Sequence, residues 1–415
     1  MKKSAILSTL CLFLSQIPLR IQAEIKPIPN SPSFIIPGPV QEILPQRFEI
    51  AAYLNCGPEM TTTQNGITIA CLNGNALHSA NIGSSHSEAS LTYHFSEEAL
   101  NYSVTGLESQ TDYNIGFTWC DIGRLGRKQT ISINDEEVLP ETATLAYEKQ
   151  KGQGTPTRIQ FALLPKHIKN GSCQISIRET GPANAINSEL WIMKRIKPKA
   201  VKQILLISGQ DYRDHLWRKT QSTVEKCLVE DQRLEVTICE NPYILGLQHL
   251  NTYDALFIHF KNYASDLPST KLMQQKLEAY IHNGGGMCLS HFACGAFQEW
   301  PDFVKLSGRI WDGGAHDKLG QFTVKIKDPT HPITSGLSDF VTDDELYYCL
   351  KGEPEIHVLC EATSKNKKAD FPQAYIFMPG KGRVFLSTLG HYVRSYEAKE
   401  VQQLYRQAAA WASGL

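Results

Sequence analysis

One property constrains this chain before any other: its hydrophobic period changes near residue 197. Across residues 48–194 the apolar positions recur every second residue, the period of a strand with one buried face. Residues 113–119 (YNIGFTW) show it best, with large apolar residues alternating with small or polar ones. Residues 130–134, 158–164, 173–177 and 189–193 read the same way, and clusters of Asn, Gly, Asp and Pro separate them. Many short strands without helical crossovers predict an antiparallel β-sandwich. Beyond Lys197-Pro198-Lys199, which reads as a linker, apolar strands alternate with helical spacing. Strands are expected at 204–208, 234–239, 255–259, 287–290 and 382–387, and helices at 220–229, 270–283 and 397–412. That alternation predicts a mostly parallel, doubly wound α/β sheet, whose ligands sit beyond the carboxyl ends of the strands.

The 415 residues therefore divide into a putting-out segment, an arm and two domains. Lys2 and Lys3, the apolar run 5–14 and Ala23 have the layout of a secretory signal peptide over 1–23. The run is too short to span a bilayer, and no later run is long enough, so no stable membrane insertion is expected. Residues 24–47 carry six prolines and predict an extended arm. The β-sandwich follows over 48–196 and the α/β domain over 202–414. A formal net charge of -1 argues against a nucleic-acid partner and suits a neutral small molecule. Export to the periplasm or the extracellular space permits disulfides. Cys56 and Cys71 flank a turn-rich stretch and are the expected pair, whereas Cys288 lies in a strand and reads as a buried thiol. No C-x-x-C spacing occurs.

Nine of the thirteen histidines fall in the second domain, and several follow its strands. His215 stands in SGQDYRDHLW, His291 in GGGMCLSHFACG, His316 in GGAHD and His391 in GKGRVFLSTLGH. Asp344 and Glu345 stand in TDDELYY. A strand-end histidine suits acid/base work, because its pKa lies near the operating pH. Four of them at strand ends or in Gly-rich loops point to one shared cleft. His331, between Pro329 and Pro332, reads as structural, and His249, His259, His282 and His357 have no motif context.

Taken in order, SGQDYRDH, YIHNGGGMCLSH, GGAHDKLGQFTV, DPTHPITSGL, DDELYY and GKGRVFLSTLGH resemble the ThuA-like (trehalose utilisation) family over about residues 202–414. The resemblance implies a flavodoxin-like sheet related to class I glutamine amidotransferases, which carry a nucleophilic Cys on a sharp strand-to-helix turn. Here that turn position falls on His291. Cys288 precedes it within the strand, and Cys294 follows it, in a place expected to be exposed. A Cys-dependent amidase is therefore an alternative that needs a thiolate beside a base. Phe292 stands where the family commonly has Gly, which leaves the turn either at His291 or moved onward into Ala293-Cys294-Gly295. The sandwich loosely resembles galactose-binding or malectin-like modules through residues 102–107, 113–121 and 188–193, implying either carbohydrate binding or a structural companion.

The family's link to disaccharide catabolism implies a chemistry. A ketone at C3 of a sugar acidifies the C2 proton, so a base can remove it while an acid protonates the departing C1 oxygen. His291 and His391 are the expected pair, with His316, Asp344 and Glu345 orienting them or binding hydroxyls. Asp214 and His215 would line the opposite wall, and Trp217 and Trp311 would stack on sugar rings. No cofactor is required by this version. A second version places a divalent metal among His215, His291, His316, His391 and an acid. A non-catalytic carbohydrate-binding protein is the remaining alternative. The sequence does not fix the oligomeric state.

Overall fold

The structure is a computed structural model and describes residues 40–57, 59–77, 92–121, 125–144, 156–209, 215, 217–261, 271–297 and 300–415. The expected leader, most of the proline-rich arm and Asp214 lie outside the described residues.

The first domain is all β. A four-stranded antiparallel sheet runs in the order Phe48–Asn55, Glu189–Arg195, Tyr113–Trp119, Thr157–Leu163. A six-stranded sheet faces it, in the order Thr61–Gln64, Ile67–Asn73, Ala99–Thr105, Ser172–Glu179, Lys128–Ile133, Glu136–Ala143. Ile115, Phe117, Ile159 and Phe161 of one sheet share a core with Val104, Ile131, Ile133 and Ile175 of the other. This is the expected sandwich. The Tyr113–Trp119 strand differs from its pattern in one respect: every residue is buried. Its polar face is covered too, so small residues there serve close packing. A Cβ on Gly116 would lie 2.1 Å from the Trp191 indole of the neighbouring strand. Only glycine leaves room for that ring.

The second domain is built on a nine-stranded sheet. Its parallel part has the order Leu234–Cys239, Lys202–Ser208, Ala255–His259, Gly286–Ser290, Arg383–Ser387. Four antiparallel strands continue it: Asp370–Phe377, His357–Thr363, Gly320–Ile326 and Phe340–Asp344. The inner parallel strands read as largely apolar runs because both faces are covered, whereas the edge strand Leu234–Cys239 also carries Glu235 and Thr237. Leu205, Ile207, Leu256 and Ile258 face the helix Lys271–His282, through Met273, Leu277 and Ile281. Ile204, Leu206 and Phe257 face the helices Trp217–Val229 and Lys399–Ala412, through Val224, Leu228, Val401, Leu404 and Ala408.

The two domains share both cores. Tyr243, Ile244 and Leu245 join the sandwich core, and Trp191 and Met193 join the cluster around Ile204 and Val236. Buried ion pairs cross the boundary. Arg158 donates from Nε to Glu240 Oε2 (2.9 Å) and from Nη2 to Oε1 (2.5 Å). Arg195 makes a two-pronged contact with Glu235, both distances 2.7 Å. Arg218, at the start of the helix Trp217–Val229, donates to Glu240 (3.2 Å) and to the Pro156 carbonyl (2.6 Å). The segment that follows His215 is thus tied to the sandwich.

The described cysteines are all free thiols. The expected Cys56–Cys71 bridge is not formed. Cys56 turns inward toward the Tyr102 hydroxyl (3.7 Å) and accepts from Asn187 Nδ2 (3.4 Å). Cys71 instead donates to the Asn73 carbonyl (3.0 Å) at the edge of its strand. Cys288 is buried, as its strand position predicts.

Burial works to raise the Glu240 pKa, but Arg158 and Arg218 overcome it and hold the carboxyl down at about 2. A carboxylate whose folded pKa lies below its unfolded value stabilises the fold above the unfolded pKa, and that contribution disappears as pH falls. Denaturant unfolding should therefore show stability lost between about pH 4.5 and pH 2. Glu240→Gln should remove this acid dependence, and Arg158→Ala, which strands a buried carboxylate, should cost about 3–5 kcal/mol at neutral pH. An Arg158→Ala protein as stable as the parent would contradict the interface.

Candidate active site

The site forms where the parallel strands end. The strand Gly286–Ser290 stops at His291, whose backbone is left-handed (φ 48°), and a 3-10 turn over His291–Gly295 follows. The sharp turn therefore falls on His291 itself, and Phe292 does not displace it. Such a conformation is uncommon outside glycine and costs on the order of 1 kcal/mol, so its surroundings must hold it.

They do so from two sides. His291 Nδ1 lies 2.6 Å from the Thr388 carbonyl oxygen, at the end of the adjacent strand Arg383–Ser387. A carbonyl only accepts, so Nδ1 carries the proton and a neutral ring leaves Nε2 as a lone pair. Beneath the turn, the Ser290 hydroxyl lies 2.6 Å from His259 Nδ1, and His259 Nε2 lies 2.7 Å from the Thr220 hydroxyl. Thr220 donates to the Trp217 carbonyl (3.2 Å), which makes His259 Nε2 the donor to Thr220 and Nδ1 the acceptor from Ser290. Burial holds the His259 pKa down at about 3. His259 thus braces the turn as a neutral, fully used side chain. Nothing in its local motif marks this, although its place at the end of the strand Ala255–His259 is the signal that was available.

His291 Nε2 points into a cluster. His391 Nδ1 lies 3.0 Å away and the Tyr347 hydroxyl 3.4 Å away. Glu345 Oε2 is 3.2 Å from His391 Nδ1 and 3.7 Å from His291 Nε2. His215 packs its ring 5.4 Å from that of His291 and 4.9 Å from that of His391. One donor atom from each of His215, His291, His391 and Glu345 falls within 4.8 Å of all the others. Burial, then the neighbouring imidazoles, keeps His291 well below the usual histidine range. Burial, then His391 and the Lys261 ammonium, lower His215 to about 2. Both shifts favour the neutral imidazole.

His316 stands at the rim, 3.6 Å from Glu345 Oε1, stacked on Tyr347 and 35% exposed. Asp344 does not face the cluster. It lies beneath it, fully buried, and accepts from the backbone N–H groups of Gly390 (2.6 Å), His391 (3.2 Å) and Glu345 (2.9 Å). Burial lifts its carboxyl to about 7, with those N–H groups opposing the rise. Its role is to fix the two loops that present His391 and Glu345.

The tryptophans divide. Trp217 is buried under Arg218, with the guanidinium 4.1 Å from its ring, so it anchors the helix start and meets no sugar. Trp311 is half-buried, with Lys261 Nζ 3.3 Å from its ring centroid. Burial lowers the Lys261 pKa to about 8. Lys261 and Tyr347 are site residues that motif reading did not single out. Cys294, expected to be exposed, is buried, and burial pushes its thiol up to about 12 despite Lys261. It is no thiolate nucleophile.

A parallel sheet with a left-handed turn directly after a central strand, and a polar cluster beyond the strand ends, defines a doubly wound α/β fold with histidine at the turn. The family model described as ThuA, trehalose utilisation, matches residues 203–412, just over half the chain, and the chain belongs to that family. Solved structures resemble the same part. A ThuA-like protein from Parabacteroides merdae is 22% identical, with a TM-score of 0.47, covering 52% of this chain and 91% of its own. A ThuA-like protein from Bacteroides uniformis is 21% identical, with a TM-score of 0.42 and coverages of 52% and 93%. A glutamine amidotransferase from Thermotoga maritima is 9% identical, with a TM-score of 0.36 and coverages of 52% and 100%. No curated protein matches the chain significantly. Among the described residues no helix is long and apolar enough to cross a membrane.

Asp344→Ala would orphan three backbone N–H groups. It should lower stability by at least about 2 kcal/mol in denaturant unfolding, because buried donors lose their acceptor. A change near zero would show that the loops carrying His391 and Glu345 are held by something else.

Proposed function

We propose that this protein is an exported enzyme of carbohydrate catabolism acting on an oxidised, 3-keto glycoside by acid/base elimination. The observation that carries the reading is the convergence of His215, His291, His391 and Glu345, with Tyr347 and His316 beside them, at the ligand-binding edge of the sheet. The family supplies the carbohydrate context.

The chain's groups match the demands of that reaction. A proton acceptor must take the C2 proton of the keto sugar, and His291 Nε2 is a lone pair oriented by Thr388. The electron pair released at C2 forms the C1=C2 double bond, and the C1–O bond breaks. The departing oxygen takes a proton from His316, which stands on the open side within reach of solvent. The Tyr347 hydroxyl is the donor for the oxygen of the C3 ketone as charge builds there. The products are a free hydroxyl compound and a 1,2-unsaturated 3-keto sugar. Trp311, half-buried with Lys261 over its ring, is the aromatic group assigned to the sugar in this reading. The sandwich serves as a structural companion in this reading, because its polar crossings brace the segment after His215.

Incubation with a 3-keto disaccharide, followed by NMR, should show the unsaturated keto sugar. His291→Ala and His391→Ala should each lower turnover by at least about 100-fold. Binding of the keto sugar without turnover by the parent protein would mark a carbohydrate-binding protein instead. Alkylation of the folded protein with iodoacetamide should leave turnover intact, since Cys294 is buried. Loss of turnover on labelling Cys294 would restore the thiol-dependent amidase.

A further inference from the structure

We propose that His215, His291, His391 and Glu345 hold one divalent transition-metal ion of the zinc type. The proposal deepens the reading of this site. It rests on the same four side chains, but not on the identity of the sugar.

The first argument is distance. Zinc binds imidazole nitrogen and carboxylate oxygen at about 2.0–2.2 Å, so two ligand atoms at a tetrahedral angle lie about 3.4 Å apart. The observed separations are 3.0 Å for His291–His391, 3.2 Å for His391–Glu345 and 3.7 Å for His291–Glu345. His215 completes the set with every donor atom within 4.8 Å of the rest, which leaves it to close by roughly an ångström.

The second argument is the direction of the lone pairs. The Thr388 carbonyl fixes the proton of His291 on Nδ1 and aims the lone pair of Nε2 at the cluster. Glu345 Oε2 is also an acceptor, and it faces that lone pair at 3.7 Å. His391 Nδ1 and the Tyr347 hydroxyl stand within reach of these acceptors, and one cation among them would satisfy His291 Nε2, His391 Nδ1 and Glu345 Oε2 together. An outer carbonyl that orients a ligating imidazole is the usual support for a metal-bound histidine. Asp344 gives the corresponding support to Glu345 and His391 through their backbone N–H groups.

The third argument is access. The cluster is closed below by the sheet, while Tyr347 and His316 border its partly exposed side. A substrate oxygen entering there would complete the coordination, and such a site polarises a ketone. Imidazole-rich sets favour zinc, iron, nickel or copper over magnesium or calcium. With the ion bound, the His291 Nε2 lone pair is a ligand and no longer the base assigned to it above, and His391 is likewise a ligand. Proton transfer then belongs to His316 and Tyr347 at the rim.

The test uses the full mature chain without a histidine tag. After chelation and dialysis, the protein is titrated with Zn2+ by calorimetry, and with Co2+ by visible absorption. The expected result is one ion per chain, with the intense Co2+ absorption of a tetrahedral site. His291→Gln and Glu345→Gln should each weaken binding by at least about 10-fold while keeping the parent unfolding transition. If a variant fails to fold, the parent titration still decides. No stoichiometric binding by the folded parent at micromolar free metal overturns the proposal, and persisting turnover in that protein leaves the acid/base reading standing. Stoichiometric binding without turnover of any keto sugar upholds the metal site and removes the elimination reading.

Discussion

The structure depends on one strained turn. His291 follows a buried parallel strand directly, in a left-handed conformation, so its side chain leaves the sheet at the strand's carboxyl end instead of entering the core. The conformation is unfavourable in isolation and is offset by local hydrogen bonds. Thr388 fixes the ring from the next strand, and the chain Ser290, His259, Thr220 fixes the backbone from below. Removing the constraint would let the imidazole rotate away from His391 and Glu345. The thiols before and after this turn, Cys288 and Cys294, are both buried, and burial raises the pKa of both.

The second dependence is on the sandwich. Each hydrophobic cluster contains residues of both domains. The edge strand Leu234–Cys239 carries Glu235 and runs into Glu240, and these two acids receive arginines from the sandwich. Arg218 shares Glu240 and begins the helix that also contains Thr220, a member of the brace under the turn. The ion-pair network therefore reaches the site through two covalently linked steps. It does so without presenting any sandwich side chain to the cluster among the described residues.

Much of this was legible in the sequence, for identifiable reasons. The change of period separated the domains, because a strand in a two-sheet sandwich and a strand between two helical layers bury different fractions of their residues. Strand-end histidines marked the site, because parallel strands deliver their carboxyl ends to one edge. The strands Gly320–Ile326, Phe340–Asp344, His357–Thr363 and Asp370–Phe377 were not legible. They form an antiparallel extension: Gly320–Ile326 and Phe340–Asp344 alternate only over short, partly exposed stretches, and His357–Thr363 and Asp370–Phe377 follow neither clean period. Asp344 and Trp217 were placed in the site by proximity to motif residues, yet both act one layer below it. Tyr347 and Lys261 were missed, because a tyrosine and a lysine gain a role only from long-range packing beside His291 and Trp311. The Cys56–Cys71 pairing failed because sequence proximity does not reveal which way a thiol points.

The most direct measurement follows the C2 proton of a 3-keto disaccharide in D2O. Proton abstraction at the cluster predicts protein-dependent loss of the C2–H signal by NMR, abolished in His291→Ala. Binding of the keto sugar with the C2 proton fully retained would contradict abstraction at this site.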